Sequence, residues 1–219
     1  MSKIVIFGLG DIAELAHYYF TNDSQHDVVG FTVDKAYLEQ DKFCGLPVVP
    51  FENMKDKYTP ETNRMFIALS YAGMNQLRSE KVTEAKKMGY RLVSYVSSRA
   101  TIFPDLSSLE NCFILEDNTI QPFVKIGNNV TLWSGNHIGH HTEIGDNTFV
   151  SSHVVISGGV KVGENCFFGV NSTVHDHLEI SDYTLIAAGA LVRKNTEPRG
   201  VYAGSPAKKM PKLSTALKL

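Results

Sequence analysis

The stretch IGHHTEIGDNTFVSSHVVISGG, residues 138–159, decides the fold. Ile138, Ile144, Val150 and Ile156 return at every sixth position. A helix repeats near 3.6 residues and a strand near 2, so neither alone explains the rhythm. It extends far on both sides. Stepping by six from Val96 to Val192 meets an apolar residue at sixteen of seventeen positions, Ser108 being the exception, and the register never slips. Two residues before each stands a second series that is mostly small or β-branched, including Cys112, Val130, Thr148, Val154 and Cys166.

Residues two apart on a strand point the same way. Each hexad therefore holds a short strand with one small and one large inward side chain, and two residues left over to turn a corner. The corner slots carry GNNV at 127–130, GDNT at 145–148 and GENC at 163–166, residues that tight turns prefer. Three faces close a triangular coil of 18 residues, and stacked coils form a parallel β-helix with a continuous core. An amphipathic sandwich would not keep one frame over seventeen positions. Cys112 and Cys166 are 54 residues apart, three coils along one face. At about 4.8 Å per coil they lie roughly 14 Å apart, too far for a disulfide, and they read as small core residues.

The first 95 residues follow another pattern. KIVIFGLGDIAELAHYYF is a strand, a glycine turn and a helix; DVVGFTVD is a second strand ending at Asp34; NRMFIALS is a third. GMNQLRSEKVTEAKKMG predicts a helix over 73–89, and YRLVSYV a strand leading into the first coil. Strands alternating with helices predict a small α/β unit with a parallel sheet. Gly8-Leu9-Gly10-Asp11-Ile12-Ala13 fits G-x-G-x-x-A, with Asp34 about twenty residues on. Such a turn presents backbone amides to a phosphate at a helix start, or simply caps the helix. The unit has room for one mononucleotide half, which suits a single nucleotide.

Bulk properties narrow the classes. The 219 residues carry 21 basic and 23 acidic side chains, net −2, with no basic run longer than a pair, so no nucleic-acid partner is expected. The N-terminal apolar run is too short for a signal-peptide core or a membrane span. Three scattered cysteines, Cys44, Cys112 and Cys166, suit a reducing cytoplasm.

Six of the eight histidines lie in the coils. His140-His141, Gly158-Gly159 and Asp176-His177 are spaced by 18, so they stack on one corner. Two glycines beside two histidines leave a groove where an acyl-pantetheine arm could lie against backbone. His153 falls on another corner. His137, His175 and His177 read as solvated turn residues. No cysteine or carboxylate completes a metal shell around HIGHH at familiar spacing, and no metal is expected.

Uninterrupted hexads after an α/β unit, together with VYAGSPAKKM at 201–210, resemble the left-handed β-helix acyltransferases. VIFGLGDIAE, GFTVD, GLPVV and FIALS extend the resemblance to the bacterial nucleotide-sugar N-acetyltransferases that make acetamido sugars for surface glycans such as lipopolysaccharide. The resemblance implies a Rossmann-like nucleotide-sugar-binding domain at 1–95, a left-handed β-helix at 96–195, and a closing segment and tail at 196–219. It implies a cytoplasmic homotrimer with acetyl-CoA as cosubstrate. His140 falls on the general base, and His141 stands where an acid is usual. Gly158, Val170 and Ala188 would line the CoA arm, and Pro206, Lys208 and Lys209 its nucleotide end. Gly8, Gly10, Asp11, Ile12, Asp34 and Lys35 would meet the nucleotide-linked amino sugar. A backbone amide of the Gly158-Gly159 turn would steady the oxyanion. Sugar O-acetylation, a longer acyl donor and a non-catalytic scaffold stay open as alternatives.

Overall fold

The computed structural model describes residues 2–217. The chain falls into two compact units, Met1–Ser70 with Arg78–Tyr95, and Tyr71–Leu77 with Val96–Leu219. The last two residues of the predicted tail lie outside the described residues.

The first unit is built on a five-stranded sheet in the order β3-β4-β2-β1-β5. β1 (Lys3–Phe7), β2 (Asp27–Val33), β4 (Leu46–Pro50) and β5 (Asn63–Ile67) are parallel. β1 is apolar from Ile4 to Phe7 and fully covered there, as a central parallel strand must be. The sheet is mixed rather than wholly parallel, because β3 (Lys42–Phe43) runs antiparallel to β4. Cys44 and Gly45, with φ of +49° and +77°, join them as a two-residue hairpin, the turn whose twist fits paired strands. α1 (Asp11–Asn22) buries Ala13, Ala16 and Phe20.

α2 (Gln76–Lys87) starts later than its sequence pattern predicts. Gly73, Met74 and Asn75 all take positive φ, which no helix continues. The predicted strand over 90–96 shrinks to a single bridge from Leu92 to Met65 and the pair Tyr95–Val96.

The second unit is a three-sided parallel β-helix. Ile138 pairs in register with Ile156, and Ile156 with Val174. The other two faces stack in the same way. Inward side chains form one column from Cys112 to Tyr202. Polar members of the small series spend their groups on backbone: Thr142 Oγ1 donates to Ser157 O at 2.9 Å, and Thr148 Oγ1 to Gly163 O at 3.2 Å. Every sixth residue from Asn111 to Gly189 has positive φ, which makes the corner. Asn and Gly tolerate that conformation best, and Asn111, Asn129 and Asn147 also join side chains at 2.8 Å each. Ser108, the one break in the apolar series, is exposed and carries no strand; Leu109 packs against the core instead.

The three outer faces differ chemically. On one, Phe113, Thr131, Phe149 and Leu185 are buried. Tyr71 packs on Phe149 and Phe167 there, with centroids 5.0 and 4.7 Å away, and Met74 joins Leu185 and Leu217. The second presents Lys125, Glu143, Lys161 and Glu179 in alternation. Lys125 donates to Glu143 at 2.8 Å and holds its carboxyl below the usual range. The third presents Thr119, His137, Val155, Thr173 and Leu191, with no carboxylate or amine.

Candidate active site

The coil geometry brings His140, His141 and Gly158 together. Gly159 N–H donates to His140 O at 2.8 Å, and His177 N–H to Gly158 O at 3.0 Å, so the three pairs stack on one corner. The His140 ring lies across Gly158: a Cβ built there would sit 2.7 Å from Cε1 and 2.8 Å from Nε2. Similarly, a Cβ on Gly159 would sit 2.5 Å from His177 Nδ1. The space expected as an empty groove is thus taken by two imidazoles. Gly139, one coil earlier, is forced by the close pass of Gly158 N, 2.5 Å from where its Cβ would stand.

His140 and His141 are exposed. His140 Nδ1 is 3.1 Å from His141 Nδ1 and the rings meet edge to face. Gln121 Oε1 accepts the His140 backbone N–H at 2.9 Å. Phe123, 70% exposed, lies over His141 with centroids 4.7 Å apart.

Val170 and Ala188 do not join this corner. They stack on the neighbouring one, where Asn171 N–H donates to Ser152 O at 3.1 Å and Gly189 N–H to Val170 O at 2.8 Å. The strands of the uncharged face run between the two corners, so both border that face. Pro206, Lys208 and Lys209 gather farther along. Val201–Ala203 extends the coil sheet and Lys208–Lys209 folds back against it. They line a cavity of about 560 Å³ with Arg193, Lys194 and Tyr202. Lys209 donates to Glu197, and this bond lifts its pKa.

In the first unit, Gly10 caps α1 and its carbonyl accepts the N–H of Ala13 at 2.9 Å. Gly8, with φ of +120°, passes so close to Ala68 O that a Cβ would lie 2.8 Å away. Asp11 opens the helix and is exposed, with Ile12 behind it. Asp34 is not a free carboxylate: Lys81 Nζ donates to it at 2.7 Å and to Glu84 at 2.7 Å. Burial lowers the Lys81 pKa, but these two hydrogen bonds and their charges outweigh it and raise it. Lys35 N–H donates to Glu52 at 3.0 Å. Of the six substrate candidates only Asp34 lines the nearby cavity of about 640 Å³, with Phe51, Lys55 and Lys81 among its walls.

Sequence reasoning missed several residues of these sites, among them Phe123, Gln121, Lys81, Phe51, Arg193 and Lys194. Phe123 and Gln121 were within its reach, since Phe123 lies 18 residues before His141 and Gln121 19 before His140. Lys81 and Phe51 carry no local signal; packing of distant elements places Lys81 Nζ 5.4 and 5.1 Å from the Phe7 and Phe51 rings.

Residues 123–158 match the family model described as bacterial transferase hexapeptide (six repeats). Solved structures share the fold over almost the whole chain. PerB from Caulobacter crescentus, in complex with CoA and GDP-perosamine, is 23% identical over 96% of this chain and 98% of its own, with a TM-score of 0.82. The acetyltransferase domain of PglB from Neisseria gonorrhoeae, in complex with acetyl coenzyme A, is 19% identical over 95% and 98%, with a TM-score of 0.79. WeeI from Acinetobacter baumannii is 17% identical over 96% and 100%, with a TM-score of 0.60.

Proposed function

We propose that this protein is an acetyl-CoA-dependent N-acetyltransferase acting on a nucleotide-linked amino sugar, with a left-handed β-helix and a Rossmann-like domain that binds the nucleotide; that domain was expected at 1–95 and is formed by Met1–Ser70 with Arg78–Tyr95, since Tyr71–Leu77 packs with the coils. The observation that carries the reading is the His140 ring, laid across Gly158 on a coil corner of a fold shared with PerB over 96% of the chain. The sugar amine attacks the thioester carbonyl carbon, a C–N bond forms, and the C–S bond breaks with its electron pair leaving on the CoA sulfur. His140 Nε2 takes the proton that the nitrogen sheds, work that suits an imidazole near neutral pH. The basic cavity at Arg193, Lys194, Lys208 and Lys209 suits the phosphates of CoA, which Arg and Lys bind by charge-assisted hydrogen bonds.

The uncharged face supports a homotrimer. Charged groups are depleted in the cores of stable interfaces, and this face has none, whereas its neighbours are either covered or charged. Both candidate corners border it, so a second subunit would complete the cleft. Cys112 and Cys166 sit as small core residues in the buried column, a use of cysteine that suits a reducing compartment, and we place the enzyme in the cytoplasm. Among the described residues no helix is long and apolar enough to cross a membrane.

The test is a mass-spectrometric screen of nucleotide-linked amino sugars, each with its hydroxyl analogue, against acetyl-CoA and longer acyl-CoAs. N-acetyl product is expected, and His140→Ala should lose at least a hundredfold in turnover. Activity within about threefold of the parent would remove His140 as base. Acylation of only the hydroxyl analogue would establish O-transfer, the second reading, kept because His141 stands where an acid is usual.

A further inference from the structure

The contact between His140 and His141 carries more than proximity. A neutral imidazole has one N–H, so two Nδ1 atoms at 3.1 Å bond only when one ring is protonated there and the other is not. Two arrangements satisfy this. In one, His140 Nδ1–H donates to His141, and His140 Nε2 keeps a free lone pair. In the other, His141 donates, and the proton of His140 occupies Nε2, the atom that must accept.

We infer that His141 is the positioning residue of this site: its Nδ1 accepts from His140 and selects the tautomer whose Nε2 is open to the amine. The inference rests on the general-base reading above and adds the tautomer and the group that selects it. After Nε2 has taken the proton, the same Nδ1–H···Nδ1 bond remains and becomes charge-assisted, so the ring need not turn during transfer. His141 thereby does the orienting work of an acidic neighbour without bringing a negative charge.

The surroundings hold both rings for this task. Phe123 covers His141, Gly158 lies beneath His140, and the His140 backbone is tied to Gln121. His141 has φ of +60°, and its N–H donates to Pro122 O at 3.3 Å. Phe123 takes φ of +66° at the same corner one coil earlier, so phenylalanine is a compatible replacement for His141.

The test uses the full-length ¹⁵N-labelled protein and long-range ¹H–¹⁵N correlation of the histidine rings, with no acceptor present. His140 is expected mainly as the Nδ1–H tautomer. His141→Phe should return it to a mixture dominated by Nε2–H, while His141→Asp should keep Nδ1–H. In parallel, His141→Phe should lower kcat about tenfold or more with KM for acetyl-CoA within about twofold, and His141→Asp should recover most of the loss. An Nε2–H tautomer in the parent, or one unmoved by His141→Phe, overturns the inference. Because the spectrum needs no substrate, a failed acceptor screen counts against the proposed activity and not against the tautomer.

Discussion

Gly158 lacks the atom that would collide with His140. An alanine there would put its Cβ 2.7 Å from the imidazole, and the ring, being a mobile side chain, would swing away. Gly158 has no positive φ, so the backbone accepts alanine without strain. Gly158→Ala is therefore expected to cut turnover about tenfold with little change in thermal midpoint. Gly159→Ala has the opposite profile, since φ of +69° and the His177 ring both oppose it; it should destabilise the coil by about 1–2 kcal/mol. Turnover and melting of the two variants, measured side by side, separate the roles. At this scale the stacking of His140 on Gly158 was readable by counting eighteens, whereas the role proposed for His140 came from the family resemblance and not from the repeat. The pairing of Asp34 with Lys81, 47 residues away, does not. It depends on where α2 packs, which no local pattern states.

Among elements, the coils were the most legible part because each hexad decides its own inward and outward residues. The hairpin of β3 and β4 was not. Its turn is Cys44-Gly45, whereas Asn or Asp before glycine is the usual sequence mark. The start of α2 was hidden for a related reason: positive φ at Met74 and Asn75 serves the second unit, where Asn75 Nδ2 donates to Cys166 O at 3.1 Å. Cys166 itself gives a test of coil packing. Burial pushes its thiol up to about 12, while an unfolded thiol ionises near ~8.5–9. The native state thus holds a proton that the unfolded chain releases. The stability from the neutral thiol is complete below about 9 and falls as pH climbs toward 12, by about 1.4 kcal/mol per unit. Denaturant midpoints under reducing conditions should show this alkaline slope reduced in Cys166→Val; equal slopes would mean the thiol is not sealed.

For the whole molecule, the three faces make the assembly testable. Val155 points outward at the middle of the uncharged face and is 37% exposed in the single chain. Val155→Asp would place a carboxylate there, and the solution mass is expected to drop from three times 24.2 kDa to 24.2 kDa. Lys161→Glu, on the charged face, should leave it unchanged. Light scattering after gel filtration reads both. A trimeric Val155→Asp would mean that another surface joins the subunits.

The positive φ that recurs at each sixth residue from Asn111 to Gly189 also fixes how such a chain can change length. Losing a single amino acid would carry all later side chains off their edge, swapping interior for exterior. Removing six keeps corners and interior in frame but moves every later face round the prism by one, and only a whole storey of eighteen, about 4.8 Å of height, leaves each face's outward residues stacked as they were.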